Sequence, residues 1–263
     1  MKPTLSIILP THARHRELTR CLHSIRTSGI ENYEILLISD IHDHKTFEVA
    51  EQYLGENDKF IERGGIPGPA ESRNLGLTLA SGQWILIFDD DDQLPPIIYP
   101  DFYHDALAQP DVVTYGDVII VEEDREKCVL LLDPPQRLTL TAMEFTQIYV
   151  KNFIFTQACL FPAYLLKEVR QDTHMRSLED WDFLLAVASY ATFKPSQHIG
   201  AIIYKDYVHQ GSRRGTSVAA NNFEVVLDYL YVCRRWPAPT EQLKAMRAAM
   251  LAQSGFIVAK EYL

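Results

Sequence analysis

The stretch "WILIFDDDDQLPP", Trp84 to Pro96, decides the fold of this chain. Five apolar residues run directly into four consecutive aspartates, Asp89 to Asp92. An unbroken apolar run of that kind fits a strand covered on both faces, as in a parallel sheet. Carboxylates this close repel and raise one another's pKa unless a cation sits among them. In open α/β sheets, ligands bind beyond the carboxyl ends of the strands. The sequence therefore puts a cation-seeking acidic patch where such a sheet would hold its ligand.

Working outward, "LSIIL" (5–9) and "YEILLIS" (33–39) read as further buried parallel strands, with "KFIER" (59–63) a weaker fourth. Between the first two, Leu18, Cys21, Leu22 and Ile25 fall at i, i+3, i+4 and i+7, and Gly29 closes the helix they imply. Helices are also expected through Phe47, Ala50 and Leu54 and from about 70 to 80. Strand alternating with helix makes this half an open, wound α/β sheet. Its strand ends bring Pro10-Thr11-His12, Asp40 and Asp89–Asp92 to one crevice.

Beyond Pro96 the pattern predicts a helix near 101–108, then strands "VVTYGDVIIV" and "CVLLL". "DPPQ" (133–136) is the best candidate boundary. Helices are expected near 141–151, 163–170 and 180–191, a strand at "IGAIIY" (199–204), and two closing helices near 221–235 and 240–260. The apolar stripes of those last two need a partner. Packing on the sheet, a homodimer or shallow membrane contact would each cover them, and Arg234, Arg235, Lys244 and Arg247 suit a membrane face.

The 263 residues carry a formal net charge of -10, a balance that repels phosphate backbones and argues against nucleic-acid binding. A small anionic ligand needs a metal to supply positive charge. The four cysteines, Cys21, Cys128, Cys159 and Cys233, form no CxxC pair and read as reduced thiols of a cytoplasmic protein. The apolar stretch Leu5–Leu9, broken by Pro10, is too short for a signal peptide, and nothing is long enough to span a bilayer. "GGIPGP" (64–69) does not match GxGxxG, and no GxxxxGK[ST] loop is present, which argues against a dinucleotide site or a P-loop. The aspartates also miss the EF-hand spacing.

Four motifs in order resemble the family 2 glycosyltransferases. "SIILPTHARHRELTRCLHSI" looks like that family's opening strand, turn and first helix, with Ala13 where Asn is usual. "YEILLISD" matches its second strand ending in an acid. "GPAESRNLGLTLASGQWILIFDDDDQLPP" matches its Arg-Asn helix and DxD-type element, and "LEDWDFLL" its Glu-Asp segment. The resemblance covers about the first 215 residues. It implies an α/β GT-A fold, an open wound and mostly parallel sheet with helices on both faces, plus a helical C-terminal extension. Residues 1–96 would be the nucleotide-binding half, 97–215 the acceptor-binding half and 216–263 the extension.

The resemblance also implies roles. Asp40 would accept from the uracil N3–H, with Pro10 and Thr11 lining the base pocket, and Arg73 would reach the base or diphosphate. Asp89 and Asp91 take the two acidic places of the DxD element, one near the ribose and one on a Mn²⁺ or Mg²⁺ ion. Asp90 and Asp92 leave that register open, with Asp90 on the nucleotide side and Asp91 as the direct metal ligand. His209 resembles a late His near the metal, beside Ser212 and Arg213. Asp180 falls at the catalytic-base position, with Glu179 and Trp181 toward the acceptor. The expected activity is inverting, metal-dependent transfer from a UDP-sugar to a glycan or lipid-linked glycan, by analogy in bacterial surface polysaccharide synthesis at the cytoplasmic side of the membrane. A dTDP-sugar such as dTDP-rhamnose, a catalytically silent nucleotide- or partner-binding module and, last, a nucleotidyltransferase are the rivals.

Overall fold

The computed structural model describes residues 2–130, 135–206, 223–253, 255–259 and 262–263. Strand β1 (Leu5–Thr11), fully buried along its length, is flanked in parallel by β2 (Tyr33–Ser39) and β4 (Trp84–Ile87), and β3 (Lys59–Glu62) extends the sheet beyond β2. Helices α1 (His15–Arg26), α2 (His44–Tyr53) and α3 (Pro69–Leu79) make the crossovers. The stripe expected for α1 is realised, since Leu18, Cys21, Leu22 and Ile25 are all fully buried. The order β3-β2-β1-β4 reverses direction between β1 and β4, and this switch point opens a crevice at the strand ends. Gly82 lets the turn before β4 press onto β1: a Cβ there would meet the Ser6 backbone nitrogen at 2.6 Å.

The turn after β1 places Ala13 at φ 48°, a left-handed conformation. Asn tolerates that region because its short amide bonds locally, whereas a Cβ-bearing apolar residue pays about 1–2 kcal/mol. Ala13→Asn is therefore expected to stabilise the chain by roughly 0.5–1 kcal/mol, read as a raised denaturation midpoint at unchanged m-value.

The second half continues the same sheet. β8 (Cys159–Pro162) pairs antiparallel with β4 and joins it to the long β5 (Val112–Asp124), which carries β6 (Val129–Leu130), β7 (Gln136–Leu138) and, in parallel, β9 (Thr192–Asp206). α4 (Tyr99–Leu107) packs on β9 and β5. The sequence reading gave β8 no strand, although it is the seam between the halves. Where helices were expected at 141–151 and 163–170, the chain forms short 3-10 turns (Leu140–Ala142, Phe145–Tyr149, Ala163–Leu166). Thr, Phe, Ile, Tyr and Val crowd the first of these segments, and such side chains lose rotamer freedom in an α-helix.

α5 (Glu179–Ala188) is followed, beyond β9, by α6 (Phe223–Arg235) and α7 (Glu241–Gln253). Val225, Val226, Tyr229, Val232 and Cys233 of α6 and Leu251 of α7 join the main core, so these stripes are covered by the sheet unit. The basic face imagined for membrane contact is not formed as expected. Arg247 is fully buried, Arg235 is paired with Asp182 at 3.0 Å, and Lys244 with Glu241 at 2.9 Å. Among the described residues, no helix is long and apolar enough to cross a membrane.

Candidate active site

Three strand ends build the crevice floor. After β2, Asp40 is nearly buried; its Oδ1 meets His12 Nδ1 at 2.5 Å, and its Oδ2 accepts the Gly68 N–H at 2.7 Å. Asp40 does not cap the next helix; Asp43 does, accepting from Thr46 N–H. His12, half exposed at the mouth of the crevice, is thus part of the Asp40 site. The 64–68 loop is held by Arg63, which donates to the carbonyls of Gly64, Ile66 and Gly68 and to Ser72 Oγ.

After β4, the four aspartates diverge. Asp90 turns inward, accepting from Thr11 Oγ1 at 2.7 Å and pairing with Arg14 at 2.6 Å. Burial pushes its pKa up to about 7, against the pull of Arg14. The Thr11 hydroxyl therefore gives its proton to Asp90, and its backbone carbonyl accepts the Asp40 N–H. Asp92, also buried, accepts the Tyr204 N–H at 2.9 Å, and burial with Asp91 nearby raises its pKa well above the carboxylate range. Carboxylate oxygens of Asp89, Asp91 and Asp92 lie within 4.8 Å of one another. All three donors are carboxylate oxygens, the ligand type that hard divalent ions such as Mg²⁺ and Mn²⁺ take. Asp92, whose place in the register the sequence leaves open, lies with Asp89 and Asp91 in that set.

Arginines surround the acids. Asp91 Oδ2 accepts from Arg14 at 3.0 Å and from Arg125 at 2.8 Å, while its carbonyl accepts from Arg20 at 2.8 Å. Arg125 and Arg20 are in turn fixed on Glu123 of β5. The chain thus supplies counter-charge of its own to the aspartates. Arg14 was legible as a cation one residue past the strand-end turn; Arg125 and Arg20 carried no signal.

Arg73, buried on α3, donates to Asp89 Oδ1 at 2.6 Å and to Glu179 Oε1 at 3.3 Å, and so ties the acidic triad to the head of α5. Gln157 donates to the other Asp89 oxygen. Asp180 follows in the first turn of α5, entered through Leu178 at φ 62°. Part of its surface reaches solvent, yet the protein around it raises its pKa to about 6, by burial first and Glu179 second, against Arg73. Its Oδ1 accepts the Trp181 N–H at 2.8 Å and its Oδ2 the Asn152 side-chain amide at 2.9 Å.

Trp181 corrects an expectation. It is 1% exposed, stacks on Tyr229 with centroids 5.1 Å apart, and donates Nε1–H to the Ile148 carbonyl at 2.6 Å. It offers no face to an acceptor, because the helical turn that points Asp180 outward points its neighbour into the core. Glu179 likewise turns to Arg73. His209, with Ser212 and Arg213, lies outside the described residues.

A family model described as "Glycosyl transferase family 2" matches residues 6–169. A "PGL/p-HBAD biosynthesis glycosyltransferase" of Mycobacterium tuberculosis is 31% identical over 279 aligned positions, covering 94% of this chain and 96% of that protein. Among solved structures, S. aureus TarS 1-349 in complex with UDP-GlcNAc superposes with a TM-score of 0.66 at 18% identity, covering 98% of this chain and 74% of that one. The mannosyltransferase PcManGT from Pyrobaculum calidifontis, in complex with GDP-Man and Mn²⁺, gives 0.64 at 15% identity, covering 97% and 74%. Fold and acidic crevice together define a glycosyltransferase of GT-A architecture. The chain belongs to glycosyl transferase family 2.

Proposed function

We propose that this glycosyltransferase is an inverting, divalent-metal-dependent enzyme that moves a sugar from a UDP-sugar to a hydroxyl of a glycan or lipid-linked glycan. The observation that carries the reading is Arg73, which holds the oxygen triad and the Asp180 segment in one crevice. Residues 1–96 serve the nucleotide, and the half containing Asp180 serves the acceptor.

Asp89, Asp91 and Asp92 would hold Mn²⁺ or Mg²⁺, which when bound neutralises the diphosphate leaving group as a Lewis acid. Asp40, its oxygens already set by His12 and Gly68, accepts the N3–H of the base. Arg14 and Arg125, both on Asp91, stand beside the place the diphosphate takes. Asp180 removes the proton from the attacking hydroxyl, for which a carboxylate with pKa near 6 suits far better than one near 3.9. A single base on the face opposite the leaving group gives inversion, by the face logic of inverting glycosidases.

Calorimetric titration of UDP, dTDP and GDP, each with Mn²⁺ and with EDTA, tests the donor half of this reading. UDP is expected to bind with Mn²⁺ and to weaken at least about tenfold, or 1.4 kcal/mol, both in EDTA and in Asp91→Ala. Preference for dTDP would move the assignment to a dTDP-sugar, since thymine offers the same N3–H to Asp40. Folded protein that binds none of the three would overturn the donor site. Nucleotide binding without turnover would identify a silent module.

A further inference from the structure

The carboxylate of Asp180 is aimed by a residue from a different part of the chain. Asn152 lies in the turn between the 3-10 segment ending at Tyr149 and strand β8. Its Nδ2 donates to Asp180 Oδ2 at 2.9 Å, while its own Oδ1 accepts the Ile154 N–H at 3.2 Å. The second bond decides the first. With the amide oxygen committed to a backbone N–H, the nitrogen must face Asp180, so Asn152 can only donate there. Asp180 Oδ1 is meanwhile held by the Trp181 N–H. The two bonds fix both torsions of the carboxylate and leave its remaining lone pairs for a substrate proton.

The turn carrying Asn152 is itself held from three helices. Its approach presents three successive carbonyls, and each accepts a donor from a different helix. Ile148 takes Trp181 Nε1–H from α5, Tyr149 takes Arg247 Nε–H from α7, and Val150 takes the Tyr229 hydroxyl from α6 at 2.8 Å. Tyr229 also stacks on Trp181, and Asp182 accepts from both Arg235 and Trp236 Nε1. The C-terminal helices therefore reach Asp180 along a continuous chain of contacts, α6 and α7 to the 148–150 strap to Asn152 to Asp180.

On this geometry we infer that Asn152 is the positioning residue for the Asp180 carboxylate, and that α6 and α7 exist in this chain to hold it there. The inference rests on the proposed role of Asp180 as base, and its test separates the two. The charged groups facing Asp180 are Glu179 on its own helix, Arg73 on α3 and Asp89 after β4; Asn152 is neutral and acts by donation alone. Removing the donor withdraws stabilisation from the charged form, so the Asp180 pKa must rise.

The experiment compares wild type, Asn152→Ala and Asn152→Asp in transfer assays from pH 5.5 to 8.5. The Asp180 carboxyl is followed in parallel by carbon NMR in selectively labelled protein, its resonance assigned by its loss in Asp180→Asn. Asn152→Ala is expected to lower kcat about tenfold near pH 6, less at pH 8.5, with nucleotide affinity unchanged and the carboxyl titrating at higher pH. Asn152→Asp should shift the titration further, by adding a like charge. In the Asp180→Asn background, Asn152→Ala should cost nothing more. An unmoved carboxyl titration, or a further loss on adding Asn152→Ala to Asp180→Asn as large as the loss it causes in the wild type, would overturn the positioning role. Wild-type turnover in Asp180→Asn, with the carboxyl still shifted by Asn152→Ala, would leave that role standing and remove the base assignment instead.

Discussion

Asp180→Asn is expected to lower sugar transfer by about 10²–10⁴-fold, the usual worth of general-base assistance, while UDP affinity and thermal stability stay near wild type. The amide keeps the shape of the carboxylate and can still accept the Trp181 N–H, while its NH2 meets the Asn152 donor where an oxygen stood, a loss of about 1 kcal/mol that leaves the fold intact. What it loses is the capacity to take a proton. The pH profile of the wild type carries the same information in a form independent of mutation. Burial and Glu179 raise the Asp180 pKa to about 6, so the base is charged above that value and protonated below it. The rate should be flat toward pH 7–8 and fall about tenfold for each unit below 6. Asp180→Asn should lose that acid limb along with the rate. A profile that stays flat to pH 4.5 in the wild type would show that Asp180 is not the group whose protonation limits transfer.

Much of this site was legible in the sequence because its parts sit at strand ends. β1, β2 and β4 are unbroken apolar runs, and a parallel sheet forces their polar C-terminal residues, Thr11, Asp40 and Asp89–Asp92, into one crevice whatever the rest of the chain does. Asp180 was readable only through the resemblance, since "EDWD" alone is an ordinary acidic first turn. What stayed hidden depends on distance. Arg125 reaches Asp91, and Asn152 reaches Asp180, across chain separations that carry no periodic signal. Trp181 was misjudged because sequence adjacency to a site residue says nothing about direction on a helix. Burial of Asp92 against Tyr204 N–H was hidden for a similar reason, since its partner strand β9 lies over a hundred residues away.

The misreading of Arg247 leads to the largest stability effect expected here. On sequence alone it belongs with Arg234, Arg235 and Lys244 as part of a basic helix face. In the folded chain its guanidinium is fully enclosed and donates to the carbonyls of Tyr149, Cys233, Trp236 and Leu263. Burial lowers its hold on the proton, and four backbone oxygens accept its N–H groups in place of water. Only a planar fork of donors satisfies so many acceptors from one position. Arg247→Met removes all of these bonds and leaves buried carbonyls unpaired, at about 1–3 kcal/mol each where relaxation cannot admit water. A net loss of about 3–5 kcal/mol is expected, comparable to breaking a buried ion pair and a large share of a typical total of about 5–15. For a chain of this size that is a fall in Tm of roughly 6–20 °C. Arg247→Lys should fall between, because three ammonium donors on a flexible stem cannot reach the same set. Were Arg247 instead a membrane-facing cation, Arg247→Met would leave Tm unchanged and weaken binding to anionic vesicles. Because Tyr149 lies on the strap that carries Asn152, the destabilised variant should also lose kcat at temperatures where it is still folded.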